Sequence, residues 1–128
     1  MRKFVIGLST LFVLGFASHS LAVSPRDCLV INNVDRQTTT WTNICNGDIS
    51  VFYCSSTNKK SGKLCGENHQ SANNKYFTHV MTMKPGDKRT KYNMGSYEFA
   101  VCSGWYDNWT GGDRDFESNY AGQYRCNK

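Results

Sequence analysis

The chain has 128 residues, six cysteines and a formal net charge of +5. This length provides one domain, and the lack of any Cys-x-x-Cys pair excludes a zinc ribbon or a thioredoxin-like redox site. After residue 22, no segment is apolar enough to cross a membrane as a helix.

The N-terminal segment has the pattern of a signal peptide. Arg2 and Lys3 precede an apolar stretch over residues 4–17, which is too short to span a bilayer comfortably. Small residues then occupy the −3 and −1 positions before the bond that follows Ala22. We therefore expect a signal peptide over residues 1–22, cleavage after Ala22, and export to a periplasm or out of the cell.

The mature part, residues 23–128, predicts one disulfide-stabilised all-β domain. Apolar, β-branched and aromatic residues alternate in short runs and rarely recur at helical spacing. In chain order, the predicted strands cover residues 28–32, 38–45, 48–54, 76–84, 88–93 and 96–102. Residues 55–74 and 103–126 are expected to be loops. This order predicts a small antiparallel sandwich or a partly open barrel.

Two turns are predicted between these strands. Asn46–Gly47 predicts a two-residue hairpin turn joining the second and third strands, because both residues accept a positive φ. Pro85–Gly86 predicts a type II turn after the fourth strand. In the hairpin, Cys45 and Cys54 would lie about 20 Å apart along the strands, which is beyond the reach of a disulfide.

All six cysteines lie in the mature part, and an even count in an exported chain predicts three disulfides. Such bonds help a domain of this size, whose core is marginal. Cys54–Cys65 would close a basic loop, and Cys102–Cys126 would close the aromatic C-terminal part. The remaining pair is Cys28–Cys45. This is the favoured pairing among fifteen connectivities.

A recurring order of motifs accompanies these cysteines. It comprises TNICNGDISVFYC, a cysteine in the next loop, KPGDKRT and YEFAVC. This order resembles that of small exported bacterial domains that are rich in cysteine, and the resemblance covers residues 41–102, about half of the chain. It implies a β-rich exported domain and assigns no activity.

The charge is distributed unevenly along the chain. Residues 59–91 contain eight Lys and Arg against two acids, whereas the C-terminal part is acidic and aromatic. The segments KKSGK and KPGDKRTK are ordinary solvated surface or a docking site for an acidic partner. On the second interpretation, Lys59, Lys60 and Lys63 steer the partner. Nucleic acid is disfavoured, because its readers interleave aromatics with basic residues.

Three aromatic residues within GWYDNW are the candidate binding anchors: Trp105, Tyr106 and Trp109. Trp and Tyr dominate the energetics of many protein interfaces, and their rings also stack on sugars. The alternative is that these rings cover a small core in which disulfides replace apolar bulk.

The sequence contains few residues suited to catalytic or metal chemistry. His69 and His79 could act as acid and base in a secreted ribonuclease or hydrolase, but a solvated loop residue and a half-buried strand residue are the favoured interpretations. The carboxylates of DRDFE, residues 113–117, match no standard calcium loop. The sequence therefore predicts no catalytic residue, metal or cofactor.

The favoured function is non-catalytic binding by an exported inhibitor or immunity-type protein that caps an exported enzyme or toxin. Disulfides hold loops rigid, and rigid loops lower the ordering cost of association. A glycan- or cell-wall-binding module, a small secreted hydrolase or ribonuclease, and a self-associating surface component remain as alternatives. The oligomeric state does not follow from the sequence.

Overall fold

The computed structural model describes residues 23–56, 63–67, 73–106 and 115–127. It contains one 3-10 helix, Pro25–Cys28, and eight strands: β1 Leu29–Asn33, β2 Thr38–Asn43, β3 Ile49–Ser55, β4 His79–Met83, β5 Lys88–Tyr92, β6 Tyr97–Ser103, β7 Phe116–Ser118 and β8 Tyr124–Cys126. Among the described residues, no helix has the length and apolar character needed to cross a membrane. The predicted signal peptide lies outside these ranges.

The strands form two three-stranded antiparallel sheets and one two-stranded sheet. The first sheet has the order β1-β2-β5, the second has the order β4-β3-β6, and β7 pairs with β8. Side chains from both larger sheets share one hydrophobic core, so the two sheets face each other. The predicted small all-β domain with antiparallel sheets is confirmed.

The core between the two larger sheets is centred on Trp41. This side chain, from β2, is fully buried. Its ring lies 5.3–5.9 Å, between centroids, from three rings of the facing sheet, those of Tyr53, Tyr97 and Phe99. Aromatic pairs at such distances are favourable in tilted and edge-to-face geometries. Trp41 therefore joins β2 to β3 and β6 across the sandwich.

A second core lies on the opposite face of β3. Phe52 stacks on Phe116 of β7, with ring centroids 3.6 Å apart, and Phe77 packs at the edge of the Phe116 ring. Successive side chains of a strand point to opposite faces, so β3 serves both cores, and most of its residues are buried. The strands β7 and β8 thus cover the sandwich as a third layer.

Three disulfides link these layers. They are Cys28–Cys45, Cys54–Cys65 and Cys102–Cys126, which are the pairs favoured from the sequence. The first joins the 3-10 helix to the segment after β2. The other two contribute to the second core and connect it to β3 and β6.

The predicted hairpin between the second and third strands is wrong. β2 pairs with β1 and β5, whereas β3 pairs with β4 and β6, so neither strand has an edge left for the other. Asn43 explains the crossing: its amide nitrogen donates to the carbonyls of Gly47 and Met83, and its side-chain oxygen accepts from the Cys45 amide. Gly47 does not adopt a positive φ. The segment from Asn43 to Gly47 is therefore a crossover between sheets.

The turn predicted at Pro85–Gly86 is confirmed. Gly86 has a φ of +80°, as position i+2 of a type II turn requires, and the Asp87 amide donates to the Lys84 carbonyl at 3.0 Å. The turn leads from β4 in one sheet to β5 in the other. The two strands therefore lie at the same side of the sandwich without pairing.

Two further differences concern strand ends. β4 begins at His79 and not at residue 76, because the side-chain oxygen of Asn74 accepts from the amides of Tyr76 and Phe77 and bends the chain there. Residues 103–126, expected to be a loop, contain β7 and β8. These strands have three residues each, which is too short for an alternating pattern to reveal.

Candidate functional site

The structure corrects one of the three predicted aromatic anchors. Tyr106 is buried, its ring lies edge-on to Phe52 with centroids 5.6 Å apart, and its amide donates to the Ser50 hydroxyl. It is a residue of the second core and not an exposed anchor. Trp105 keeps 42% of its surface exposed. Trp109 lies outside the described residues.

The remaining predicted site residues are only partly placed. Lys59, Lys60 and His69 lie outside the described residues, and Lys63 is exposed. The Lys63 carbonyl accepts from the Ser55 amide, at the far end of β3 from Trp105. The length of β3, about 20 Å, therefore separates Trp105 from Lys63. These two residues do not form one binding patch.

A row of cations follows the edge of the first sheet. Lys84, Lys88, Arg89 and Lys91 lie on or beside β5, and we call them the basic edge. The first three are exposed, and Lys91 is half-buried. The single acid among them, Asp87, lies 3.6 Å from Arg89 and also accepts from the Lys84 amide. The basic edge therefore has a net positive charge.

The Lys91 end of the basic edge meets residues of the second sheet. The Lys91 ammonium donates to the Tyr53 hydroxyl at 2.9 Å and lies 4.7 Å from the centroid of its ring. The His79 ring also stacks on Tyr53, with the two ring centroids 5.0 Å apart. Thr78 lies 2.9 Å from His79 Nδ1 and donates to the Lys63 carbonyl.

The environment of His79 favours its neutral form. Burial, followed by the positive charges of Lys91 and Lys63, lowers the pKa of His79. Within the described part of the chain, neither lysine forms a salt bridge. An anionic group placed here would thus meet two cations that no described carboxylate neutralises.

A concave surface lies along β6. It is a cleft of about 270 Å³ whose walls combine aromatic rings with one cation and one anion, among them Arg26, Tyr76, Tyr97, Glu98, Phe99 and Tyr124. The Tyr76 hydroxyl donates to the Glu98 carboxylate, and this bond is the main reason why the pKa of Tyr76 is raised. The Arg26 guanidinium lies 5.2 Å from the Phe99 centroid. Gly122 approaches Tyr76 so closely that a Cβ there would lie 2.7 Å from the ring.

One group of potential metal ligands occurs within the described ranges, comprising Cys54, Cys65 and Glu98. The two sulfurs are joined in a disulfide, whereas metal ligation by cysteine requires thiolates. The group therefore does not have the chemistry of a metal centre.

The fold and these surfaces define a small β-sandwich protein linked by disulfides. Comparison of the chain with protein-family models, with curated proteins and with solved structures found no match. Function is therefore inferred from the residues and geometry of the chain itself.

Sequence reasoning found the basic edge only in part. The sequence shows KPGDKRTK to be basic, but the predicted steering residues are Lys59, Lys60 and Lys63, none of which belongs to the basic edge. The cleft along β6 was missed, because its residues come from four separate segments of the chain. No local pattern brings Arg26 near Glu98.

Proposed function

We propose that this chain is an exported, non-catalytic binding protein of the inhibitor or immunity type, and that it binds an acidic face of a protein partner. A signal peptide with cleavage after Ala22 is part of the proposal. The six bonded cysteines support it, because disulfides persist in oxidising compartments outside the cytosol.

The observation that carries the proposal is the basic edge. Four cations and one acid occupy nine consecutive residues, from Lys84 to Tyr92, which form β5 and the turn before it at the edge of a rigid sandwich. A concentrated charge of one sign steers a partner of the opposite sign and raises its association rate. Cross-linking of the domain lowers the ordering cost on binding. These properties are typical of a preformed docking surface.

A charge reversal at Lys88 tests this proposal. Lys88 is exposed and lies in the middle of the basic edge, so Lys88→Glu is expected to weaken partner binding about tenfold with little effect on folding. The measurement is capture from the native periplasm or culture medium on immobilised protein, followed by mass spectrometry. Titration of the captured partner at two salt concentrations then gives the affinity, which should fall as salt rises.

Arg36→Glu is the matched control, because Arg36 is also exposed and the change in net charge is identical. It lies in the turn between β1 and β2, which meets the chain just beyond β5 at Asn93, at the opposite end of that strand from Lys88. We expect this variant to capture the same partner as the wild type. Equal binding by the Lys88→Glu and Arg36→Glu variants would show that the basic edge is not the docking surface.

A glycan-binding role is a second candidate, and the cleft along β6 favours it. Aromatic walls stack on the apolar face of a sugar ring, while a carboxylate and a guanidinium bond its hydroxyls. Glu98→Gln should lower retention on insoluble peptidoglycan or polysaccharide about tenfold, since it weakens one charged hydrogen bond. Glu117→Gln, on β7, is the control. Retention that both variants leave unchanged would argue against this role.

A further inference from the structure

We propose that the partner binds by strand addition: an extended acidic segment of the partner pairs with β5 and becomes the fourth strand of the first sheet. This inference rests on the proposed function and specifies how the basic edge is used. β5 is the outer strand of the order β1-β2-β5, so within the described part of the chain its second side has no neighbouring strand.

The register shows which backbone groups point outward. The Asn43 amide donates to the Asp87 carbonyl, and the Asn93 amide donates to the Gln37 carbonyl, so the bonded positions facing β2 are the odd-numbered ones of β5 and its flanks. Bonded and non-bonded pairs alternate in an antiparallel ladder. Arg89 and Lys91 therefore turn their N–H and C=O groups towards β2. By the same alternation, three residues turn theirs to the open side: Lys88, Thr90 and Tyr92.

The charge of β5 selects an acidic occupant. Lysine on an edge strand discourages pairing with another strand of like charge, including β5 of a second copy. The same lysines attract a carboxylate-bearing strand. Strand addition provides affinity through main-chain bonds and specificity through alternate side chains. The basic edge is thus closed to self-association and open to an acidic segment.

Side-chain alternation predicts the sequence pattern of the segment. Arg89 and Lys91 pair with Trp41 and Thr39, so they share the face that looks towards the second sheet. Residues of an added strand on that face would lie beside Arg89 and Lys91, with His79 and Lys63 beyond. They should be Asp or Glu at every second position. The other face meets Lys88, Thr90 and Tyr92, so polar or β-branched residues suit the positions between.

The test uses a fluorescein-labelled nine-residue peptide of alternating glutamate and threonine, with binding to the mature domain followed by fluorescence anisotropy. Two further peptides have the same charge but carry N-methyl groups on the glutamates or on the threonines. A strand added beside β5 uses the N–H groups of one alternate set only. We therefore expect one methylated peptide to bind at least tenfold more weakly and the other to bind nearly as well as the parent.

A variant of β5 provides the complementary test. Thr90→Pro removes an N–H that points to the open side, so pairing with β2 is retained and proline is tolerated at such an edge position. It should weaken binding of the parent peptide about tenfold, whereas Thr90→Val, which keeps the N–H, should change it less than twofold. Thermal unfolding establishes that both variants are folded. If Thr90→Pro does not fold, the methylated peptides decide the question.

The outcomes separate this inference from the proposed function. Equal binding of the parent and both methylated peptides would overturn strand addition while leaving attraction by charge intact. Equal binding of the parent peptide to the Lys88→Glu and Arg36→Glu variants would contradict the basic edge itself. Dimerisation at micromolar concentration, abolished by Thr90→Pro in light scattering, would make a second copy the occupant and would also overturn the inference.

Discussion

Replacing Trp41 with alanine is expected to destabilise the domain by about 3–5 kcal/mol, the usual cost of removing a large buried aromatic side chain. The ring is fully buried and contacts Tyr53, Tyr97 and Phe99 of the facing sheet. Since a domain of this size has a total stability of about 5–15 kcal/mol, the loss should be large. Urea denaturation of the oxidised protein measures it as a lower midpoint.

Trp105→Ala is the matched control for this prediction. The substitution is chemically the same, but Trp105 keeps 42% of its surface exposed. We expect it to cost less than about half as much as Trp41→Ala, since the free energy follows the apolar area buried. If the two variants lost the same stability, the two larger sheets would not share the core centred on Trp41.

Removing the Cys102–Cys126 bond by a double alanine substitution is expected to cost about 3–4 kcal/mol. The bond joins residues separated by 24 positions, and closing a loop of that length restricts the unfolded chain by roughly this amount. Its location adds a local effect, because it attaches β8 to β6 and both sulfurs belong to the second core. Chemical denaturation gives the change in the free energy of unfolding.

Hydrogen exchange distinguishes a local destabilisation of β7 and β8 from a destabilisation of the whole domain. Without Cys102–Cys126, the amides of β7 and β8 should exchange faster than those of β2 and β3. The corresponding double substitution at Cys28–Cys45 should not produce this difference, since that bond lies beside the other core. Uniformly faster exchange in both variants would mean that the Cys102–Cys126 bond does not stabilise β7 and β8 more than the rest of the domain.

The basic edge and the cleft along β6 both lie on outer strands of the sandwich. The two larger sheets have three strands each, so β5 and β6 are both outer strands. The 3-10 helix and β8 both contact β6, and the cleft along β6 lies between these two elements. No described element covers β5, which instead carries lysine and arginine. In the docking mode proposed above, this charge makes β5 selective for an acidic strand.

Local patterns in the sequence are sufficient to predict several features of the structure. Short runs of apolar, β-branched and aromatic residues predict the first six strands, although β4 begins later than predicted. The Pro85–Gly86 turn follows from a fixed proline φ and a positive glycine φ. Three disulfides follow from an even cysteine count in a chain with an export pattern. The basic character of residues 84–91 was also visible. The strands, the turn and the basic segment each depend on residues that are neighbours in the chain, whereas the disulfides follow from a count over the whole mature part.

By itself, the sequence determined the β class, the first six strands, the turn at Pro85–Gly86 and the concentration of positive charge. Only the tertiary structure decided the partner of each strand, the burial of Tyr106 and the assembly of the β6 cleft. The physical reason is that a strand can satisfy its backbone with any neighbour. Local turn propensity at Asn46–Gly47 was overruled by the bonds of Asn43 and by pairing on both sides of β2 and β3. Such choices depend on contacts between residues far apart in the chain, which local alternation does not encode.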